Sequence, residues 1–321
     1  MNQKEIITAF ANLLQGIETK LTLQQAFENM IIYSKAKECR KGTIDYYTKT
    51  FSKINEYMKS VNIIYVEDIN KMIVSNMIIY LKAKDFKNSS INKYIEVLKH
   101  IVKFNYDNDY TKVNNIATIK KLKEKEPDIK TIEEKNVIKI LNYIEELDTS
   151  NLINLRFKVF IKLLMDTGAR YNEIVNIKLK NIDIDNNSIL LDFTKTNKDR
   201  YVFFSDHTKQ DLEKLKRNLE NLNQNLENLN RFIYLFSNFE TKKIIFKSTM
   251  YEQIENMRKK LEIEQSITPH KWRHTLATKL CDNNINLMSI KEVLGHSTLE
   301  ITKRYIHADK EKIKKDVLNV L

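Results

Sequence analysis

PHKWRHTLATKLCDNNINLMSIKEVLGHSTLEITKRY, residues 269–305, holds chemistry that the rest of the chain lacks. Four of the six histidines, His270, His274, His296 and His307, fall within or just after it, together with Arg273 and Tyr305. Only 9 of the 54 basic residues are arginine, so the chain meets its general need for positive charge with lysine, and an arginine inside a motif calls for a reason. Pro269 suits the first position of a helix, and His270 and His274, four apart, then share a helical face. A metal site is one reading of that pair. HKWRH, however, lacks the glutamate of HExxH and sets an arginine between the imidazoles, which opposes a cation. A polar helix start, with the histidines bonded to backbone and Arg273 to a carboxylate, explains each residue taken singly.

The chain has 321 residues, more than one hydrophobic core usually organises, so two domains are expected. Apolar residues make up 42%, enough for packed cores, and only four glycines and two prolines are present, which favours helices over a many-stranded protein. No apolar run reaches membrane-spanning length and the N-terminus lacks a secretory layout, so a soluble cytoplasmic protein without a membrane partner is expected. Cys39 and Cys281 lie far apart with no metal-ligand spacing, which argues against a disulfide framework or a zinc module. The net charge of +12 favours a polyanionic partner, because each phosphate neutralised by Lys or Arg releases counterions. An A+T-rich coding sequence would enrich lysine too, so charge alone does not decide.

The N-terminal part reads as four amphipathic helices between about 22 and 106. Ile44, Tyr47, Phe51, Ile54 and Met58 mark one of them; Ile91, Ile95, Leu98 and Val102 mark another, after the candidate caps Ser89 and Ser90. Thr22 with Gln25 forms a capping-box pattern. KKLKEKEPDIKTIEEK, residues 120–135, is charged, holds Pro127 and has the composition of an inter-domain connection. The expected divisions are an N-terminal segment 1–20, a helical domain 21–110, a linker 111–130 and a second domain 131–321. In the second domain Thr131 and Glu134 suggest another capping box, and a later helix runs to Thr167 with Gly168 as its left-handed cap. SILLDF (188–193) and RYVFFS (200–205) predict a small β-hairpin. Leucines at 212, 215, 219, 222, 226 and 229 make a heptad seam, which either packs on its own domain, the favoured reading, or meets another protomer.

Four motifs follow one another in order: TGARYNE (167–173), TKTNKDR (194–200), HKWRH (270–274) and LGHSTLEITKRY (294–305). Together they resemble the catalytic domain of the tyrosine recombinases, the phage integrase family, over residues 131–321, and the preceding helices are similar to that family's SAM-like core-binding domain. The resemblance implies a mostly α fold with a small β-hairpin or sheet (α+β), arranged as a two-domain DNA clamp. It implies a site-specific DNA recombinase that cuts and rejoins strands through a 3′-phosphotyrosine.

Carried over residue by residue, Arg170 and Arg273 resemble the arginines that grip the scissile phosphate. A planar, permanently charged guanidinium suits oxygens that become more negative in the transition state. Glu173, three residues on, resembles the acidic partner that orients Arg170. Tyr305, nine residues after His296, matches the nucleophile; with a reference pKa of about 10 its phenol needs help to deprotonate, and His270 is the candidate acid/base. His296 would hydrogen-bond the phosphate. Lys195 resembles the hairpin lysine that protonates the leaving 5′-oxygen, ahead of Lys198; the glycines that commonly flank it in the family are absent. Trp272 stands where the family has a smaller apolar residue, and it either packs in the core or stacks beside Arg273.

Exchange of one phosphodiester for another is nearly isoenergetic, so neither ATP nor any cofactor is implied, and no metal is implied because the side chains carry the positive charge that magnesium supplies elsewhere. The implied partners are double-stranded DNA, further copies of the chain in a tetramer on DNA with the C-terminal helix (306–321) exchanged between protomers, and accessory directionality proteins. Two alternatives remain: a type IB topoisomerase or telomere resolvase with the same chemistry, and a non-catalytic DNA-binding protein of the same fold.

Overall fold

Amphipathic periodicity, a few side-chain caps and two left-handed glycines account for most of the architecture. The computed structural model describes residues 20–124, 129–192, 199–224, 231–303 and 305. The chain divides into two compact units, Met1–Glu126 and Pro127–Leu321.

The first unit contains α1 (Leu23–Ala36), α2 (Lys41–Ser60), α3 (Lys71–Ala83) and α4 (Asn88–Asp107). Thr22 caps α1 as its sequence suggests: its hydroxyl accepts from the Gln25 amide at 3.2 Å, and the Gln25 side chain accepts from the Thr22 amide at 3.1 Å. Phe51, Ile54 and Met58 of α2 are buried against Ile91, Ile95, Leu98 and Val102 of α4, and Phe27 stacks on Phe51 with centroids 4.0 Å apart. Asn105 ties the helices together where no water reaches, donating to the Ala26 carbonyl at 2.8 Å. Ser89 and Ser90 are not caps. The helix starts one residue earlier, with Lys87 as its uncapped boundary, so both serines lie in its first turn.

In the second unit α5 (Glu134–Glu145) is followed by α6 (Leu152–Thr167), a helix apolar nearly all round and correspondingly buried. Its two buried lysines are neutralised rather than stranded: Lys158 and Lys162 share Glu145 and Asp211 at 2.6–3.4 Å. The capping box expected at Thr131 is absent. Glu133 precedes α5 without a side-chain cap, and the Thr131 carbonyl instead accepts from the Gln265 side chain at 2.6 Å, a tertiary bond overriding a local one.

Gly168, at φ +56°, ends α6 in the left-handed conformation, and α7 (Tyr171–Val175) starts three residues later. The predicted hairpin is present as β2 (Ser188–Leu191) and β3 (Arg200–Phe203), but a two-residue strand, β1 (Ile182–Asp183), extends it to an antiparallel sheet of order β1-β2-β3. Register pairs Ile189 with Val202 on the core side and Leu191 with Arg200 at the end nearest the site described below. α8 (Asp206–Gln224) turns Leu212, Leu215 and Leu219 wholly into its own unit, against α6, while Leu222 is partly exposed; Leu226 and Leu229 lie outside the described residues. α9 (Lys247–Lys260), α10 (Pro269–Asp282), α11 (Leu287–Leu294) and α12 (Leu299–Lys303) complete the unit. Trp272 is buried in its core, deciding between the two placements open to it. No helix among the described residues is long and apolar enough to cross a membrane.

Candidate active site

α10 is set by Thr268, whose hydroxyl accepts from the Lys271 amide at 3.3 Å, and by Pro269 in its first turn. On it His270 and His274 stand one turn apart, ring centroids at 4.4 Å, and Arg273 points inward with 3% exposure. The Gly168 turn delivers Arg170, and the Gly295 turn, at φ +65°, delivers His296 from the end of α11. Arg170, His270, Arg273, His274, His296 and Tyr305 line one cavity of about 160 Å³ with Ile129 and Ile301. Residues expected to work together, though scattered from 170 to 305, therefore converge. Lys195 and Lys198 lie outside the described residues, as do the other residues of 193–198 and the C-terminal segment 306–321.

The two guanidinium groups are held differently. Arg170 donates through Nη1 to Glu173 Oε1 at 2.8 Å and through Nη2 to the Gly295 carbonyl at 3.3 Å, leaving the side chain about one-third exposed at the cavity. Arg273 donates through Nη1 to the Gly168 carbonyl at 3.1 Å, while its Nη2 is buried with no hydrogen-bond partner among the described residues. An unpartnered buried donor costs about 1–3 kcal/mol, so this one is suited to an acceptor that the described residues do not supply. Burial, reinforced by the charge of Arg170, lowers the Arg273 pKa to about 10, which still leaves it a cation at neutral pH.

The imidazoles of His270 and His296 are kept neutral. Burial and the charges of Arg273 and Arg170 push the His270 pKa below its ordinary value. The same causes, with Arg200 and His274 added, lower that of His296 to about 3, and its Nδ1 shares a hydrogen bond with the Thr302 hydroxyl at 2.9 Å. Glu173 is 3% exposed and remains ionised: burial raises its pKa, but bonds and charge from Arg200 and Arg170 outweigh that and hold it below the ordinary carboxylate value. Tyr305, also 3% exposed, lies parallel to His296 with centroids 6.1 Å apart, and its hydroxyl is 2.7 Å from Nδ1 of His274. Chemically this is an anion cradle: two cationic forks, neutral imidazoles able to donate or accept, and a phenol within the same enclosure.

Two members escaped the sequence reading. His274 appeared there only as half of a rejected metal pair, although its i+4 spacing from His270 put it on the same face. Arg200 appeared only as the end of TKTNKDR and the start of RYVFFS, with no role assigned to it. In the structure its guanidinium meets both oxygens of Glu173, at 3.1 and 2.8 Å. The scarcity of arginine was the available signal for it.

Comparison with known proteins identifies the family. Residues 130–312 match the phage integrase family and residues 22–125 match the phage integrase SAM-like domain. The chain is 27% identical to the tyrosine recombinase XerA of Saccharolobus solfataricus, over 93% of this chain and 92% of that one. It is 25% identical to the tyrosine recombinase XerD of Staphylococcus aureus, over 87% and 92% respectively. Among solved structures, the Tn1549 transposon integrase in complex with a circular intermediate DNA superposes with a TM-score of 0.71 at 16% identity, covering 93% of this chain and 99% of that one. The XerH site-specific recombinase bound to difH substrate does so with 0.68 at 20%, covering 98% and 88%. With its mostly helical fold, small sheet and matched sequence, the chain belongs to the phage integrase family of tyrosine recombinases.

Proposed function

We propose that this protein is a site-specific DNA recombinase in which Tyr305 attacks a DNA phosphate to form a 3′-phosphotyrosine and release a 5′-hydroxyl. The observation that carries the reading is the convergence of Arg170, Arg273, His270, His296 and Tyr305 on one cavity, with Nη2 of Arg273 lacking a hydrogen-bond partner among the described residues. A phosphate supplies the missing acceptor. Its non-bridging oxygens gain negative charge as the phosphorus becomes pentacoordinate, so Arg170 and Arg273 bind the transition state more tightly than the ground state. Glu173 orients Arg170 and takes no proton. His270, neutral beside two arginines, serves as the acid/base group, and His296 donates to the phosphate. Lys195 protonates the leaving 5′-oxygen. The bond formed to Tyr305 replaces the P–O5′ bond broken, so attack by a 5′-hydroxyl reverses the step with no energy input.

The helical unit, residues 21–110, joined through 111–130 to the catalytic unit 131–321, supplies the rest of the grip on double-stranded DNA. The net charge of +12 and the DNA-bound state of XerH and the Tn1549 integrase support this. Phosphate contacts give most of the affinity and a few base contacts plus DNA deformability give the choice of site. Assembly of four copies on two duplexes through the segment after Tyr305, with accessory proteins setting direction, completes the proposal.

The test begins by incubating the protein with its host's genomic DNA and sequencing the ends that carry covalent protein. A nicked duplex bearing the mapped site, in EDTA, then traps an adduct that Tyr305→Phe does not form. An adduct from Tyr305→Phe, or a requirement for divalent metal, overturns the mechanism.

A further inference from the structure

We propose that Arg200 is a positioning residue of the phosphoryl-transfer site, setting Arg170 through Glu173 and locking the His296 turn to the start of β3. The inference rests on the reading just given. Arg200 uses its whole guanidinium: Nε donates to the Val293 carbonyl at 3.1 Å, Nη1 to Glu173 Oε1 at 3.1 Å and Nη2 to Glu173 Oε2 at 2.8 Å. From the other side the Arg170 amide reaches Oε2 and its Nη1 reaches Oε1, both at 2.8 Å. Glu173 is thus a buried carboxylate clamped between two arginines, and the plane in which it presents Arg170 is fixed by Arg200.

The third contact is steric. A Cβ built on Gly295 would stand 2.8 Å from Cζ and Nη1 of Arg200, so the guanidinium packs directly on the turn that precedes His296. Three of the four motifs meet at this one side chain: Glu173 from the first, Arg200 itself from the second, and Val293 and Gly295 from the approach to His296. Arg200 also opens β3, immediately after the 194–199 stretch that contains Lys195. Lysine cannot replace it, because a single ammonium does not span a carbonyl and both oxygens of a carboxylate in one plane.

The experiment compares wild type, Arg200→Lys, Arg200→Gln, Glu173→Gln and the double variant Arg200→Gln/Glu173→Gln on the nicked duplex bearing the mapped site. It reads the single-turnover rate constant for adduct formation and, separately, the dissociation constant for the duplex. The rate constant is insensitive to the fraction of protein folded, so a merely structural role would reduce the amplitude and leave it unchanged. Expected are rate losses of about 10- to 100-fold in Arg200→Lys and Arg200→Gln with binding within about threefold, by analogy with the loss of groups that orient a catalytic side chain. The double variant should be no slower than the worse single variant, because both act on one clamp. Wild-type rates in Arg200→Lys, or multiplicative losses in the double variant, overturn the inference. A wild type that forms no adduct overturns the underlying reading instead, so the two failures are separable.

Discussion

Nδ1 of His274 lies 2.7 Å from the hydroxyl of Tyr305, joining the proposed nucleophile to α10 across 31 positions of chain. The side chain that the sequence pairs with this phenol, His270, is its neighbour one turn earlier, with ring centroids 4.4 Å apart. The phenol is therefore seated against the helix that carries Arg273, inside the enclosure where a phosphate would sit. Removing this bond should cost the net worth of one hydrogen bond, about 1 kcal/mol. His274→Ala and Tyr305→Phe should each lose about that amount in urea unfolding, and a double-mutant cycle should return a coupling of similar size.

Arg273 and Arg170 should be far more costly to catalysis than to binding. Lysine at either position keeps the charge and loses the fork, and cleavage of the nicked duplex should slow by about 100- to 1000-fold, as for loss of a donor to an oxyanion. Single-turnover rates measured at saturating enzyme check this, with filter binding as the parallel measure of affinity.

Stability should depend on pH through His296. Its folded pKa, lowered to about 3, is below the unfolded value of 6.5, so the unfolded chain binds the proton first as the solution is acidified. Above 6.5 this histidine contributes no pH dependence. Between 6.5 and 3 it destabilises the folded state by about 1.4 kcal/mol per unit of pH. Urea midpoints at pH 7 and pH 5 should differ less in His296→Asn than in wild type.

Gly168→Ala should damage both fold and site. At φ +56° a side chain costs about 1–2 kcal/mol, and the new methyl would meet Leu294 Cδ2 at 2.9 Å and Leu276 Cδ2 at 3.0 Å. Because Arg170 hangs two residues beyond, the rate constant for adduct formation should fall along with the melting temperature.

Leu215→Ala should destabilise the isolated protein by about 2–5 kcal/mol, since the side chain is fully buried within its own unit. An effect confined to assembly on DNA, with unchanged unfolding of the free protein, would return the described part of the heptad seam to a role between protomers.

Local signals were read well where local physics decides. Helical periodicity placed the four helices of the first unit, and the Thr22 capping box and the Gly168 cap each depend on only a few neighbouring residues. The serines at 89 and 90 and Thr131 are cap candidates by residue type yet cap nothing, because a cap is chosen in competition with every other partner the fold brings near. β1 is two residues long, too short to carry a period, and exists only because β2 pairs with it.

The same division runs through the site. The sequence alone determined which side chains are available: the arginines at 170 and 273, the histidines at 270 and 296, Glu173 and Tyr305 stand in an order and spacing that resembles the tyrosine recombinases. Which of them touch was decided by the tertiary structure. The bonds from Arg200 to Glu173, from Arg170 to the Gly295 carbonyl and from Tyr305 to His274 span 27, 125 and 31 positions, and no periodicity extends that far. Nor does sequence foretell the near-complete burial that leaves one Arg273 nitrogen without a partner among the described residues and keeps His296 neutral. Both follow from exclusion of water, which belongs to the packed core and not to any stretch of chain.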